Sequence, residues 1–308
     1  MGNATTVTRL AGPALILAAI ALFSANDVAM KLLSSGFGAA QVIAWRCTVG
    51  LALVGPAAAA HAARTRGIPS ARLKLQLLRS GLIHASGLTF FVAFARLPLF
   101  DAYVVFFTAP FVTLALARAI LGERVARSAW AWAVLGFAGV FVALAPGLAG
   151  GGSGRSGVIG YLAAFAGTCS YALLMVVTRR LGADARLSES MAIPALAGLV
   201  AIGPFAAAAA WQTPSATDMA LLSLTGVLWA GGNVALTAAI RNTSPARLAP
   251  YDFTAMVWAI AYDALFFATM PGAVELAGAA MVVAACLGHA RADLSRANGG
   301  VDARAQRE

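Results

Sequence analysis

Residues 96–124, RLPLFDAYVVFFTAPFVTLALARAILGER, decide the fold of this 308-residue chain. The stretch opens with Pro98 and one acid, Asp101, and then runs almost wholly apolar over residues 102–121, with Pro110 near the middle. About 20 helical residues at about 1.5 Å each match a hydrocarbon core of about 30 Å. A mid-helix proline is tolerated in a membrane span more readily than in a soluble helix. The stretch therefore predicts a membrane-spanning helix.

The same shape returns in residues 245–270, PARLAPYDFTAMVWAIAYDALFFATM, without obvious identity. At an offset of 147 positions, Pro98 falls on Pro245. At the same offset, Phe106 falls on Phe253. The correspondence indicates that the chain holds two copies of one unit.

The composition excludes a soluble protein. Apolar residues make up 60% of the chain, charged residues 11%, and the mean hydropathy is +0.81. Soluble domains are roughly half apolar and a quarter charged. The net charge of +10 does not indicate a nucleic-acid partner, because the basic residues lie in short connections between apolar segments rather than on a soluble domain. The first apolar segment is too long for a signal peptide and carries Asn26, Asp27 and Lys31. The partner that this composition predicts is the lipid bilayer.

The hydropathy predicts an all-α membrane protein with ten transmembrane helices. They cover about 11–33, 40–62, 75–95, 101–121, 127–146, 158–180, 188–211, 218–240, 248–269 and 273–291. The predicted organisation is a first repeat of five spans at 11–146, a Gly/Ser linker at 147–156, a second repeat at 157–291 and a disordered cytoplasmic tail at 292–308.

The number of spans per repeat sets their relative orientation. Because five is odd, the second repeat enters the membrane from the opposite side, so the two repeats are inverted. The loop at 63–73 is rich in Arg, whereas its counterpart at 212–217 has no basic residue. The positive-inside rule then selects cytoplasmic N and C termini in a multi-pass protein of the bacterial inner membrane. Inverted repeats are a recurring plan of secondary transporters.

No local signature of another chemistry is present. The three cysteines fall inside apolar segments without metal spacing, so neither a metal nor a cofactor is predicted. Residues 152–157 match G-x-G-x-x-G, but they follow a membrane span rather than a strand. Walker A, H-E-x-x-H and G-x-S-x-G motifs are absent from the sequence, which removes the signatures of ATP-driven pumps and of common hydrolases.

Four segments resemble one family, the drug/metabolite transporter superfamily in its ten-span EamA type. They are LILAAIALFSANDVAMKLL at 15–33, VIAWRCTVGLAL around Arg46, APFVTLALARAILGER at 109–124 and LAAFAGTCSYALLMVVTRRL at 162–181. The resemblance covers about residues 11–290. The family includes amino-acid exporters of the YddG kind, with which this chain is compatible. The chain departs from the family pattern at the end of the ninth span, where Thr269-Met270-Pro271 replaces the expected Gly-Glu. The role of Glu123 at one gate is therefore not matched at the other.

Six charged or titratable residues inside predicted spans or at a span end are gating or coupling candidates, because a charge inside the membrane costs about 2.5–3.5 kcal/mol and needs a partner or a purpose. They are Asp27, Lys31, Arg46, His84, Glu123 and Asp263. For Asp27, Lys31 and Arg46, the sequence leaves open a fixed ion-pair cluster and, alternatively, a gate or a contact to a substrate carboxylate. Asp263 is open as a proton carrier, as the partner of a base on another span, or as a water-facing group. His84 is either a second proton carrier or a hydrogen-bonded core residue.

Polar and aromatic residues converge on the spans that wall a central cavity in the family. The resulting candidates for substrate contact are Ser24, Asn26, Ser86, Thr89, Phe90, Tyr103, Phe107, Thr108, Tyr171, Trp229, Asn233, Tyr251 and Trp258. Aromatic residues near span ends are alternatively members of the interfacial belts. Pro110, Pro250 and the pair Gly231-Gly232 are candidates for bends.

The sequence thus predicts a secondary transporter that moves small organic solutes by alternating access, with export of amino acids or similar metabolites favoured. The alternatives are an uptake permease for a metabolite or cofactor such as S-adenosylmethionine and, more remotely, a membrane-embedded lipid-modifying enzyme. Substrate identity, direction, proton coupling and oligomeric state stay open at this stage.

Overall fold

The computed structural model describes residues 2–62, 70–122, 127–149, 154–181, 187–208, 211–242 and 249–305. Every regular element in these ranges is a helix. The helices are α1 (Gly2–Leu33), α2 (Ala39–Ala62), α3 (Ser70–Phe94), α4 (Leu99–Phe106), α5 (Ala109–Leu121), α6 (Arg127–Ala149), α7 (Gly154–Leu181), α8 (Leu187–Ala208), α9 (Ala216–Asn242), a 3₁₀ helix (Ala249–Phe253), α10 (Thr254–Phe267) and α11 (Ala273–Ala305).

Eight segments of the described chain are long and apolar enough to cross a membrane, and they coincide with the first eight predicted spans. The other two predicted spans correspond to shorter helices. The ninth is divided into the 3₁₀ helix and the 14-residue α10, and the tenth holds a shorter apolar helix at Ala273–His289. The all-helical membrane fold is therefore confirmed, while the count of ten spans remains a prediction.

The outer surface of the bundle is apolar. Large hydrophobic side chains point outward on several helices and are more than two-thirds exposed, among them Val134, Phe141, Val200, Phe205 and Leu265. A water-soluble protein does not expose so many large apolar side chains together. This surface is suited to contact with lipid tails. Buried polar side chains, among them Asn26, Arg46 and Asp263, lie between the helices.

The fourth span is broken at its centre by the proline that the sequence singled out. Pro110 has no N–H for the carbonyl of Phe106, and the N–H of Phe111 bonds to Thr108 O at 3.0 Å instead of to Phe107 O. Helix α4 therefore ends at Phe106, and α5 begins at Ala109. The ninth span is likewise irregular around Pro250, where the 3₁₀ helix precedes α10.

The other predicted bend is not an interruption. Helix α9 runs unbroken through Gly231 and Gly232. A Cβ atom on Gly232 would lie 2.7 Å from the ring of Phe23 on α1, so this glycine allows the two helices to approach. The pair therefore serves packing between α1 and α9.

The most extensive helix contacts join the first half of the chain (α1–α6) to the second half (α7–α11). The pairs are α6 with α11, α1 with α9, α3 with α7 and α2 with α8, and the broken spans meet through α4 and α10. At the crossing of α6 and α11, Cβ atoms on Gly139 and Gly278 would lie 2.8 Å and 2.2 Å from backbone atoms of the facing helix. The two halves are thus interleaved.

The C-terminal segment is helical where the structure describes it. Helix α11 continues to Ala305, through most of the stretch 292–308 that was predicted to be a disordered tail.

Candidate functional site

A polar cluster lies between α1 and α4. The Tyr103 hydroxyl donates to Asp27 Oδ2 at 2.7 Å, and its oxygen lies 3.3 Å from Ser24 Oγ. Asn26 Nδ2 donates to Asp27 Oδ1 at 3.2 Å. Both oxygens of the Asp27 carboxylate are therefore held by neutral donors, and three substrate-contact candidates gather around one gating candidate.

Arg46 approaches this cluster from α2. Its side chain is only 5% exposed. Nη1 lies 3.7 Å from Met30 Sδ, and the guanidinium stacks over the ring of Trp229 on α9, 5.7 Å from its centroid. Within the described chain Arg46 makes no ion pair with a carboxylate. The first and second halves of the chain thus meet at an arginine whose charge is not paired.

The structure separates Lys31 from the other two charges of the predicted group, Asp27 and Arg46. Although Asp27 and Lys31 are one turn apart on α1, the Lys31 ammonium donates to Leu97 O and lies 4.7 Å from the centroid of the Phe267 ring. The charge of Lys31 interacts with Asp263 and Asp101, whereas Asp27 lies near Arg46 without an ion pair among the described residues. The two roles that the sequence left open for these charges, a fixed cluster and a gate or substrate contact, therefore stay predictions.

Asp263 closes one end of the bundle. It lies on α10, is 1% exposed, and its two oxygens accept hydrogen bonds from Leu99 N at 3.0 Å and Phe100 N at 2.8 Å. These are free N–H groups of the first turn of α4, where a helix favours a negative charge. Lys31 is near enough to add an attractive charge. Among the described residues Asp263 is buried and forms no ion pair, and it caps the other broken span.

His84 has a fixed partner across the two halves. Its Nε2 lies 2.8 Å from Pro194 O on α8, and because a carbonyl only accepts, Nε2 carries the proton. Nδ1 is buried without a hydrogen bond in the described structure. The hydrogen-bonded core interpretation of His84 fits this geometry.

An aromatic cluster lies where both broken spans are irregular. Phe106 contacts Tyr171 at 5.0 Å and Phe90 at 5.7 Å between ring centroids. Phe107 contacts Phe253 at 5.4 Å and Tyr103 at 6.4 Å. Tyr103 belongs to this cluster and to the polar one, so apolar and charged groups are contiguous.

The break in the fourth span also exposes backbone groups to side-chain partners. Because Phe111 N bonds to Thr108, the Phe107 carbonyl is open to the Cys286 thiol of α11 at 3.6 Å. Thr108 Oγ1 bonds to Val105 O at 2.7 Å and remains within its own turn. Unwound backbone inside a membrane protein is tolerated where it is buried in protein or lines a cavity.

The remaining predicted residues lie less centrally. Ser86 donates to Gly167 O on α7, Thr89 donates to its own helix, and Asn233 Nδ2 donates to Trp229 O. The Tyr251 carbonyl accepts from Thr254. Trp258 is 37% exposed and stacks on Tyr262 at 5.6 Å, on an accessible face of α10. Glu123 lies outside the described residues.

Sequence reasoning missed several members of the site. Met30 contacts both Asn26 and Arg46 through its sulfur, and Phe106 and Phe253 complete the aromatic cluster. A signal was available for the two phenylalanines, since they correspond at the 147-residue offset between the repeats. Met30 gives no such signal, because an apolar residue on a span is ordinary core.

A shallow cavity of about 390 Å³ opens near the chain reversals after α1 and α3. Its lining residues are Ser34, Ala39, Phe91, Val92, Ala95 and Arg96. None of them is among the predicted contact residues. The cavity is separate from the polar cluster.

Curated relatives of the chain are transporters. A riboflavin transporter of Rhizobium johnstonii is 30% identical over 203 residues, which are 66% of this chain and 65% of that protein. The pseudopaline exporter CntI of Pseudomonas aeruginosa is 27% identical over 87% of this chain and 92% of its own length. An S-adenosylmethionine uptake transporter of Rickettsia felis is 25% identical over 92% of this chain and 94% of its own length.

A solved crystal structure has the same fold. It matches with a TM-score of 0.62 at 21% identity and covers 92% of this chain and 97% of the other. The sequence profile of the EamA-like transporter family matches residues 10–145 and 158–290. Since these segments make up most of the chain and the curated relatives are transporters, the protein is a transporter rather than an enzyme and belongs to the EamA-like transporter family.

Proposed function

We propose that the protein is a secondary transporter that moves small organic metabolites across the bacterial inner membrane by alternating access. In this proposal ten spans form two inverted five-span repeats with both termini in the cytoplasm, and α4–α5 and the 3₁₀ helix with α10 are the equivalent fourth and ninth spans.

The pattern of helix pairing carries the proposal. If span n of the first repeat corresponds to span n+5 of the second, a two-fold axis exchanges the pair of spans 1 and 8 with the pair of spans 6 and 3. Both pairs are among the most extensive contacts, as α1 with α9 and α3 with α7. The axis maps the pairs α2 with α8, α6 with α11 and α4 with α10 onto themselves, and these contacts also occur. A symmetric bundle of this kind can exchange two conformations that open on opposite sides.

The contacts at the two broken spans support a closed state at one end. Asp263 joins α10 to the first turn of α4, and Lys31 joins α1 to the chain reversal before α4 at Leu97. In the predicted topology this end faces the outside. The state is then outward-closed, which a transporter must adopt once in each cycle.

The favoured substrates are amino acids or similar metabolites, and the favoured direction is export. The polar cluster beside an aromatic cluster is suited to an amphipathic solute rather than to a sugar. The name of the Pseudomonas aeruginosa relative, a pseudopaline exporter, supports export. The second candidate is uptake of a metabolite such as S-adenosylmethionine, which the name of the Rickettsia felis relative favours.

Counterflow in proteoliposomes tests the proposal. Purified protein is reconstituted with an unlabelled amino acid inside, and uptake of the radiolabelled compound is followed for the twenty standard amino acids and for S-adenosylmethionine. We expect transient accumulation of at least one compound without chemical change. Empty liposomes are the control, and chemical conversion in the absence of flux would contradict the proposal.

A further inference from the structure

Arg46 needs an anion that the described chain does not supply. Its side chain is 95% buried, given its 5% exposure, and its one hydrogen-bond acceptor is the sulfur of Met30 at 3.7 Å. A thioether is a weak acceptor, and the face of Trp229 stabilises a cation without neutralising it. A membrane-buried charge is costly unless it is paired. The arrangement leaves the binding of an anion as the way to satisfy the guanidinium.

Asn26 has a buried hydrogen-bond acceptor that lacks a donor. It is 4% exposed, its Nδ2 faces Asp27 Oδ1 and Met30 Sδ, and its Oδ1 is buried with no hydrogen-bond donor in the described structure. The amide orientation follows from Asp27, because a carboxylate oxygen requires a donor opposite it. A buried acceptor without a donor loses its hydrogen bonds to water and gains none in return, which is unfavourable. This oxygen, next to a carboxylate, is suited to an ammonium group.

The guanidinium of Arg46 and the side-chain amide of Asn26 lie close together. Asn26 Nδ2 and Arg46 Nη1 contact the same sulfur at 3.4 Å and 3.7 Å, which limits their separation to about 7 Å. Asp27 lies close enough to Arg46 for their charges to interact, although Tyr103 and Asn26 occupy its oxygens. A simple anion would satisfy Arg46 but would be repelled by Asp27, and a simple cation would leave Arg46 unpaired. A solute with both charges on neighbouring atoms satisfies both.

We infer that this junction of α1, α2 and α9 binds an α-amino carboxylate group, with the carboxylate on Arg46 and the ammonium on Asn26 Oδ1 beside Asp27. The inference rests on the proposed transport function and specifies its substrate class. The aromatic cluster that begins at Tyr103 and continues through Phe107 then receives the side chain of the solute. Sugars, uncharged metabolites and plain amines are excluded as tight ligands.

A glycine on α3 provides a graded way to disturb the anion site. A Cβ atom on Gly87 would lie 3.1 Å from Arg46 Nη2, which is tighter than an ordinary contact, and the flexible end of the arginine can yield by a few tenths of an ångström. Gly81 lies on the same helix, and a Cβ atom there would meet nothing within 4 Å. Gly87→Ala therefore shifts the guanidinium, and Gly81→Ala is the matched control.

The test is ligand binding to the full-length protein purified in detergent, measured by the rise of its thermal unfolding temperature with ligand concentration. The probes are the twenty standard amino acids and S-adenosylmethionine. For each compound that binds, the amide or decarboxylated form removes the carboxylate, and the N-acetyl form removes the ammonium. The variants are R46K, N26L, G87A and G81A.

We expect at least one intact α-amino acid to bind at least tenfold more tightly than both of its modified forms. R46K keeps the charge but loses the bidentate fork, so the preference over the carboxylate-free form should fall about tenfold, whereas the preference over the N-acetyl form should persist. In N26L the preference over the N-acetyl form should fall, whereas the preference over the carboxylate-free form should persist. G87A should weaken binding of the intact amino acid severalfold, and G81A should leave it unchanged. R46K and G87A carry the test if N26L does not fold.

Three results would overturn the inference: no probe binds, the modified forms bind as tightly as the intact compounds, or R46K and G87A keep the wild-type preference. Flux in proteoliposomes separates the inference from the transport proposal. Carriage of solutes without an α-amino carboxylate, unaffected by R46K, would refute the inference and leave the transporter intact. If the intact amino acid binds more tightly than its modified forms but no probe crosses the membrane, the inference stands and the transport proposal is refuted.

Discussion

Single residues in this protein are defined by partners that are distant in the sequence. The sequence singled out Asp27, Arg46 and Asp263 from their charge alone, and all three are at helix junctions. It did not predict their partners, because Asp263 bonds to backbone N–H groups more than 160 positions away that are free only where α4 begins. The local sequence pattern therefore identifies the buried charged residues, and only the three-dimensional packing shows which groups bond to them.

The Asp263 cap makes a prediction about stability. Asparagine has one acceptor oxygen, so D263N would lose one of the two bonds to the first turn of α4 together with the charge that favours a helix N-terminus. We expect D263N to unfold several degrees lower, in line with about 1.5–3 kcal/mol for a hydrogen bond to a charged group. Thermal unfolding in detergent measures it.

Asp252 offers the matched control, since no hydrogen bond to its carboxylate occurs in the described structure, and D252N should leave the unfolding temperature unchanged. If D263N instead altered the pH dependence of flux and spared stability, Asp263 would be a proton carrier rather than a cap.

The helices themselves were largely predictable, since hydrophobic length is a local property. The first eight predicted spans agree with eight apolar helices, and Pro110 correctly marked a break in the fourth. The position of the break was not predictable, because it depends on whether Phe111 N bonds to Phe107 or to Thr108. The close approach that Gly232 of α9 allows was not predictable for a related reason: its facing partner on α1 is unknown from sequence.

The crossing of α6 and α11 depends on glycine. A methyl group at Gly278 would lie 2.2 Å from Ala143 N, and one at Gly139 would lie 2.8 Å from Gly278 O, so neither clash is relieved by a side-chain movement. We expect G139A and G278A each to lower stability by about 1–3 kcal/mol, as overpacking does. In G55A the new methyl group has its nearest neighbour at 3.5 Å, an ordinary contact, and unfolding should be unchanged. Equal unfolding temperatures for all three variants would show that the helices are not in close contact.

The break in the fourth span should matter for movement rather than for binding. P110A restores an N–H for the carbonyl of Phe106 and favours a continuous helix through Phe107 and Thr108. We expect binding of a transported amino acid to be kept within about threefold and counterflow to slow severalfold, because a continuous span cannot bend at this point. Wild type and P110A are compared only if their unfolding temperatures are equal, so that a slower flux is not caused by misfolding. Unchanged flux would mean that the break is a static feature of the site.

At the scale of the whole molecule, the sequence predicted the family and the helical class, and the comparisons agree on both. It could not predict which helices pair, because lipid-facing and partner-facing sides of a span are both apolar. The pairing of α1 with α9 and of α3 with α7 depends on close approaches at Gly232 and Gly167, which have meaning only when the facing ring is known. Topology across the membrane is the property that still rests on charge alone.

The proposed inverted topology predicts that two corresponding connections lie on opposite sides of the membrane. Single cysteines are introduced at exposed positions into a variant lacking Cys47, Cys169 and Cys286, and intact cells are treated with a membrane-impermeant thiol reagent. Met270→Cys should react from outside, whereas Arg127→Cys should react only after permeabilisation. In the proposed organisation these sites lie in corresponding connections of the two repeats, so repeats of the same orientation would give both positions the same accessibility. Opposite accessibility is required if one conformational exchange is to close one side of the membrane while opening the other.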